Sequence, residues 1–311
     1  GRYPAYGVAE KRIEQQIEGA NLDRTKVDIK VKKEGYNLLT YTNDGETSNA
    51  VSFYALPKGS KLIQYPEDGA KLTSAAAIAD SLTTNAKIKR YKVNAIEGVP
   101  VIVELIGRRN GSRIDAVMRL KNKSGEVVAM ADDTEDPIQG LMTFHADPIL
   151  NYTPRWSEDM TLEVEDLHRG YGKDYHYLLQ LHKQIPSFHA FVSPANIAIP
   201  SGGTASFRVD ISGRLKRPAN LVIKGLPKGF TTSSLKIRGG KVWNVSITAP
   251  KGAAVERFPI EVKVEYPNNE GRAQANALPV DNMMQAFYYV HHIQAAELSL
   301  EVTEASPYRL S

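Results

Sequence analysis

The stretch ELIGRRNGSRIDAVMRLKNKSGEVVAMADD, residues 104–133, decides the fold class of this chain. Its apolar and polar residues alternate, which is the period of two expected of strands that bury one face. The turn sequences NG at 110–111 and KSG at 123–125 separate the runs, and glycine there accepts the positive φ of tight turns. The stretch therefore predicts consecutive short strands that end on two carboxylates, Asp132 and Asp133.

The same pattern extends over the whole chain. Residues 26–56 alternate around Val27, Ile29 and Val31, and the Asp44-Gly45 pair predicts a hairpin. Turn signals recur every 8–12 residues from 86 onward, as in β-sandwiches and jelly rolls. We predict an all-β protein of tandem β-sandwiches in three parts. These are a small immunoglobulin-like unit at 1–57, a jelly-roll-like sandwich at 58–182 and an immunoglobulin-like sandwich at 183–311.

Two segments allow a helical alternative. AEKRIEQQIEGANL, residues 9–22, places Ile13 and Ile17 four residues apart among good helix formers, but it also suits a strand that runs into a turn. We favour the strand. KLTSAAAIADSLTTN, residues 71–85, predicts a connector with one irregular turn, and a short helix at 74–80 is the alternative.

Composition excludes several classes of protein. The 311 residues include 39 Lys+Arg and 35 Asp+Glu, a net charge of +4 that is spread along the chain, so nothing indicates a nucleic-acid partner. The sequence has no cysteine, which excludes disulfides, thiolate metal ligands and a cysteine nucleophile. No run of 18 apolar residues exists, so no transmembrane helix is predicted.

Catalytic and nucleotide-binding motifs are missing, and we predict no catalytic residue. His176 and His182 fall on one face of a predicted strand, but His189 lies beyond the predicted boundary at 182, so we expect no shared metal. His291 and His292 are adjacent and point to opposite faces of a strand.

The acidic residues form two candidate calcium clusters. One is Asp132, Asp133 and Asp136 in MADDTEDPIQG, and the other is Glu67 and Asp68 in YPEDGAK. Carboxylate-rich loops suit Ca²⁺, which takes six to eight oxygen ligands. The alternative is that both loops are solvated turns in which an Asp caps its own backbone. A hydrolase would need two acids about 5–10 Å apart across a cleft, which adjacent aspartates do not indicate.

Aromatic residues near the end of the central part suggest a surface for sugars. Tyr175 and Tyr177 share a face of one predicted strand, and Trp156 precedes it. An exposed set of these rings would form a sugar-binding face, whereas the alternative is that one face of this strand belongs to the core.

Three segments carry a family resemblance. PEDGA at 66–70, the run from RYKV to MADD at 90–133 and TLEVEDLHRGYGKDYHYLLQL at 161–181 resemble the bacterial pre-peptidase C-terminal domain. SPANIAIPSGGTASFRVDI and GLPKGFTTSSLKI, at 193–211 and 225–237, resemble an immunoglobulin-like domain of secreted bacterial proteins. LLTYTNDGETSNAVSFYAL, at 38–56, is similar to the closing strands of an IPT/TIG domain.

The resemblance implies a noncatalytic accessory module of an exported bacterial protein, located outside the cytoplasm and attached to a protease or another hydrolase. Its partner would be a polysaccharide or an extracellular protein, and some members of the family bind Ca²⁺. This chain has Lys87 and Lys89 where the calcium-binding members carry acids. We therefore interpret the carboxylates first as turn formers and second as calcium ligands. A hydrolase that uses surface carboxylates and a purely structural spacer remain the alternatives.

Overall fold

The chain is built from β-strands, as predicted. The computed structural model describes residues 5–19, 22–31, 34–39, 42–43, 46–47, 51–136, 142–182, 188–213, 219–237, 242–268, 271–285, 289–295 and 297–305. Within these ranges the helical structure is one 3-10 turn at Arg108–Asn110, and no helix is long and apolar enough to cross a membrane.

Two compact units make up the chain. The first comprises residues 1–135 and 145–185, and the second comprises residues 136–144 and 186–311. Residues 1–57 are grouped with the central sandwich in the first unit. The three-part division at residues 57 and 182 stays a prediction.

The strands are numbered in chain order. Those from the N-terminus to the end of the first unit, which include one strand of the second unit, are β1 (Tyr6–Val8), β2 (Arg12–Gly19), β3 (Leu22–Lys30), β4 (Gly35–Leu39), β5 (Thr42–Asn43), β6 (Glu46–Thr47), β7 (Val51–Leu56), β8 (Lys61–Gln64), β9 (Ala70–Lys71), β10 (Ala76–Ser81), β11 (Ile88–Ala95), β12 (Val101–Ile106), β13 (Ala116–Lys121), β14 (Val127–Ala131), β15 (Thr134–Asp136), β16 (Met142–His145), β17 (Ile149–Tyr152), β18 (Glu158–Asp166) and β19 (His176–His182).

Two five-stranded sheets form the sandwich of the first unit. One has the order β17-β12-β19-β10-β8 and the other has the order β14-β13-β18-β11-β9. The core between them includes the fully buried side chains of Ile78, Tyr91, Leu105 and Tyr177. Alternation along β11 places every second residue in this core, as the sequence pattern predicts.

The central strands of the first of these sheets are buried on both faces, as β10 and β12 show. Strands β1, β7 and β4 form a three-stranded sheet in which Tyr6 and Leu56 pack on Ala77, Ala79 and Leu178. We call the five-stranded sheet beneath them the covered sheet, and we call its partner, β14-β13-β18-β11-β9, the open sheet.

Burial on both faces explains one wrong prediction. Residues 76–80 belong to strand β10, and residues 74 and 75 form the turn before it, rather than a helix or an irregular connector. Ile78 faces the sandwich core, whereas Ala77 and Ala79 face the N-terminal strands, so the segment shows no polar alternation. The favoured strand at residues 9–22 is confirmed by β2, and β5 pairs with β6 on either side of Asp44-Gly45.

The second unit is also a β-sandwich. Besides β16, its strands are β20 (Phe188–Ser193), β21 (Asn196–Pro200), β22 (Thr204–Gly213), β23 (Ala219–Lys224), β24 (Thr231–Thr232), β25 (Lys236–Ile237), β26 (Val242–Thr248), β27 (Arg257–Asn268), β28 (Gly271–Gln285), β29 (Tyr289–Gln294) and β30 (Leu298–Thr303). Strand β22 joins β20 to β26, and β27 joins β23 to β28 and β30. Phe207, Val245 and Ile247 lie in the core of this unit.

Candidate functional site

A groove of about 160 Å³ lies in the first unit, beside strands β8, β10 and β19. The alanine run at 75–77 contributes small side chains to it, because a methyl group leaves room that a larger residue would fill. The lining residues are Leu56, Ser60, Lys61, Thr73, Ser74, Ala75, Ala76, Ala77, Gln180, Leu181 and His182.

The groove offers hydrogen-bonding groups and positive charge. Its ionisable side chains are Lys61 and His182, and its lining contains no carboxylate. The hydroxyls of Ser60, Thr73 and Ser74 make no hydrogen bond to any other described residue. A hydroxyl both donates and accepts, so this lining suits a polar ligand.

The buried carboxylate of Glu104 contacts the side chain of His182. Nε2 of His182 lies 2.9 Å from Oε2 of Glu104, which is on the neighbouring strand β12. Because an ionised carboxylate only accepts, Nε2 carries the proton in this contact. None of the described residues hydrogen-bonds to Nδ1 of His182.

Glu104 is in turn part of a buried ionic cluster. Nη2 of Arg109 donates to Oε1 of Glu104 at 2.9 Å, and its Nε donates to Oδ2 of Asp147 at 2.9 Å. The side chains of Arg109 and Asp147 are 7% and 0% exposed. Burial alone would lower the pKa of Arg109, but Tyr36, Glu104 and Asp147 raise it well above its ordinary value. The guanidinium stays charged and balances both acids.

Asp147 also fixes the chain that follows β12. Its Oδ1 accepts the backbone N–H of Arg108 at 2.7 Å, and its Oδ2 accepts that of Arg109 at 3.1 Å. A carboxylate with these partners is a structural anchor for the 3-10 turn. Its oxygens are occupied by Arg108 and Arg109.

Tyrosines of the N-terminal strands cover this cluster. The hydroxyl of Tyr6 donates to the Ile106 carbonyl at 2.8 Å and lies 3.1 Å from Nδ1 of His176. Burial raises the pKa of Tyr6, and it raises the pKa of Tyr54 to about 12. Burial lowers the pKa of His176 to about 4, against smaller opposite effects of Asp174 and Asp147. At neutral pH these groups are uncharged.

The structure separates the two predicted calcium clusters. Glu67 and Asp68 precede β9, and Asp132 and Asp133 follow β14, which are the opposite edges of the open sheet. Four strand spacings amount to roughly 19 Å. The side chain of Asp136 lies outside the described residues. No described group of three or more His, Asp and Glu residues could hold a metal ion.

In each of the two clusters an aspartate accepts a hydrogen bond from a backbone N–H group. Oδ1 of Asp132 accepts the backbone N–H of Asp133 at 3.0 Å, as predicted for a carboxylate that shapes a turn. Oδ1 of Asp68 accepts the backbone N–H of Arg90 at 2.7 Å. Calcium binding at either cluster remains a prediction that these contacts do not test.

Lys87 and Lys89, which stand where calcium-binding pre-peptidase C-terminal domains carry acids, each contact another side chain. Nζ of Lys89 lies 3.0 Å from Oδ2 of the buried Asp80 and 3.4 Å from the Pro66 carbonyl. Nζ of Lys87 lies 4.6 Å from the ring centre of Tyr171. Lys89 therefore places an ammonium group beside the linker that carries Glu67 and Asp68.

The three predicted aromatic residues do not form one exposed face, because Tyr175 and Tyr177 both pack against the sandwich core, which was the alternative to a sugar-binding face. Tyr177 is fully buried, and its hydroxyl lies 2.7 Å from that of Tyr91. Trp156 is 60% exposed and donates from Nε1 to Glu158 at 3.0 Å. Trp156 precedes the nine-residue strand β18, and Tyr175 follows it, so roughly 30 Å separates them along the strand.

The residues that build the groove were not singled out from the sequence, apart from His182. Lys61, Ser74 and Gln180 belong to no motif. The placement of His176 and His182 on one strand was predicted, and they contact Tyr6 and Glu104 respectively. The partner of His182, Glu104, lies 78 residues earlier in the chain, so no spacing of residues in the sequence indicates this contact.

Comparison with known proteins gives only distant structural similarity. No family model matches the sequence, and no curated protein matches it. The pre-peptidase C-terminal domain of collagenase from Bacillus anthracis is similar at 15% identity and a TM-score of 0.29, over 38% of this chain and 97% of that chain.

Two further solved structures are similar over longer stretches. A DUF4785 family protein from Legionella pneumophila aligns at 11% identity and a TM-score of 0.22, over 65% of this chain and 63% of that chain. The N-terminal four Ig domains of Dscam1 isoform 1.9 align at 14% identity and a TM-score of 0.19, over 75% and 50%. Similarities at this level do not establish membership of a family.

Proposed function

We propose that the chain is a noncatalytic binding module of an exported bacterial protein, carried as an accessory to a protease or another hydrolase. The observation that carries the proposal is the groove at Lys61, Ser74 and His182, which rests on a doubly buried sheet. A rigid sheet fixes the positions of hydrogen-bonding groups before a ligand arrives, which lowers the entropy lost on binding.

The buried charges support a binding role rather than a catalytic one. Catalytic acids need oxygens that reach a substrate. In the cluster behind the groove, Glu104 contacts Arg109 and His182, and Asp147 contacts Arg109 and two backbone N–H groups. These carboxylates position other groups of the protein.

The size of the groove limits the ligand to a small group. A volume of about 160 Å³ is below the roughly 300–1,000 Å³ of sites for drug-sized ligands. The groove therefore suits one unit of a polymer whose other units remain in solvent. We propose that this polymer is an extracellular polysaccharide and that it keeps the parent protein near its target.

Affinity electrophoresis against a panel of soluble polysaccharides tests this function. At least one polysaccharide should slow the chain in the gel, and Ala75→Leu, which fills the groove, should remove the retardation. The same incubations should release no reducing ends. Release of reducing ends by the pure chain would contradict the noncatalytic role, and equal retardation of Ala75→Leu would contradict the groove.

A further inference from the structure

The charge of the groove identifies a class of ligand. Lys61 is exposed, and no described carboxylate lies within salt-bridge distance of its ammonium group. His182 is the second ionisable residue of the lining, and the nearest acid, Glu104, is behind it and is paired with Arg109. An anionic group in the groove therefore meets the ammonium group of Lys61 and no carboxylate in the lining, and Nδ1 of His182 is an acceptor that suits a hydroxyl beside that charge.

The neutral part of the lining indicates what else the ligand carries. Ser60, Thr73, Ser74 and Gln180 present three hydroxyls and one amide, each of which both donates and accepts. A ligand that matches them has several hydroxyls around its charge. A peptide carboxylate lacks such hydroxyls, whereas the ring of an acidic sugar has them.

We propose that the groove binds one uronic acid residue of an acidic polysaccharide, with its carboxylate at Lys61, one ring hydroxyl donating to Nδ1 of His182, and the other ring hydroxyls at Ser60, Ser74 and Gln180. This inference rests on the proposed binding function and specifies its ligand. The remaining sugar units extend along the exposed side of the groove.

Calorimetric titration with a galacturonate trimer tests the inference. A galactose trimer of the same linkage is the matched neutral probe, and sodium acetate is the matched carboxylate without a ring. We expect the galacturonate trimer to bind at least about tenfold more tightly than either probe, because only this trimer offers both a carboxylate to Lys61 and ring hydroxyls to the neutral lining.

Three variants locate the binding. Lys61→Gln should weaken binding of the galacturonate trimer about tenfold, and Ala75→Leu should abolish it. Lys92→Gln removes the same charge from an exposed position of the open sheet, so it should change the affinity less than about twofold. Circular dichroism of each variant verifies that the fold is retained.

The outcomes separate this inference from the proposed function. Equal affinity for the galactose trimer would overturn the assignment of a uronic acid. The proposed binding function would be retained if Ala75→Leu still removed binding. Preferential binding of a glutamate-rich peptide would overturn the assignment of a sugar as the ligand. An absence of binding by all three probes would overturn the inference, and the polysaccharide panel would then decide the proposed function separately.

Discussion

The two outer faces of the first sandwich carry the same kinds of charged residues in opposite surroundings. Beside the covered sheet, Arg109 of the 3-10 turn after β12 is 7% exposed and pairs with Glu104 and Asp147. On the open sheet, Arg90 is 46% exposed and lies 3.2 Å from Glu163. The difference shows that burial, rather than residue type, decides what a charge contributes.

The energetic consequences differ accordingly. Removing one member of a buried ionic cluster leaves an uncompensated charge and costs about 3–5 kcal/mol. An exposed ion pair contributes about 0–1 kcal/mol, because water and salt screen it. The buried cluster therefore fixes the position of His182 at the groove, whereas the ion pairs of the open face add little to stability.

Replacing Arg109 should have the largest effect. Arg109→Met leaves Glu104 and Asp147 buried without a cation, and we expect a loss of about 3–5 kcal/mol in the unfolding free energy of the first unit. Urea-dependent hydrogen exchange, read from peptides of that unit, measures it separately from the second unit.

Arg119→Met on the open sheet is the matched control for Arg109→Met. Arg119 pairs with Glu165 and is 31% exposed. We expect a loss below about 1 kcal/mol that diminishes further in high salt. A loss of stability as large as that of Arg109→Met would contradict the proposed difference between buried and exposed ion pairs.

Acid should destabilise the first unit through His176. Its pKa is about 4 in the folded chain and about 6.5 in the unfolded chain, so the unfolded chain binds the additional proton between these values. The stability that His176 contributes is complete above pH 6.5 and falls by about 3 kcal/mol as the pH drops towards 4. Unfolding curves of His176→Phe between pH 4 and 7 should have a slope smaller by one proton, and an unchanged slope would disprove the assignment.

Tyr6 and Tyr36, which lie over the buried ionic cluster, differ in whether their buried hydroxyls have a hydrogen-bond partner. Tyr6→Phe removes the hydrogen bond to the Ile106 carbonyl, and we expect a loss of about 1–3 kcal/mol. The buried hydroxyl of Tyr36 has no hydrogen-bond partner among the described residues, so Tyr36→Phe should be neutral or stabilising. Thermal unfolding of both variants checks the order, and a reversed order would contradict these contacts.

Calcium should have the smallest effect. The cluster of Glu67 and Asp68 and the cluster of Asp132 and Asp133 lie at opposite sheet edges, and two carboxylates supply fewer ligands than the six to eight that Ca²⁺ takes. We expect no change in Tm on addition of calcium or chelator. A calcium-dependent rise in Tm that Asp132→Asn/Asp133→Asn removes would show that one cluster binds the ion.

The fold could be predicted from the sequence because period-two alternation and glycine turns act locally. The prediction succeeded at β11 and β13, which bury one face, and at β2, where a helix was the alternative. It was wrong at β10, because that strand is buried on both faces and Ala77 and Ala79 carry no alternation. Such a strand is recognised only when the elements that cover it are known.

The groove could not be predicted, because its parts come from distant positions. Lys61 and Ala76 become neighbours only through parallel pairing of β8 and β10. Glu104 reaches His182 only through the pairing of β12 and β19. Sequence alternation likewise could not decide whether the face of β19 that carries Tyr177 is exposed or belongs to the core, where the structure places it.

We propose that the groove on the covered sheet is the binding surface of this module. Amide chemical-shift mapping during titration with the galacturonate trimer tests it most directly. We expect perturbations confined to residues 56–61, 73–77 and 180–182, with the open-sheet amides of Arg90 and Arg119 unchanged. Perturbations centred on the open sheet, or none in the groove at saturating trimer, would contradict it.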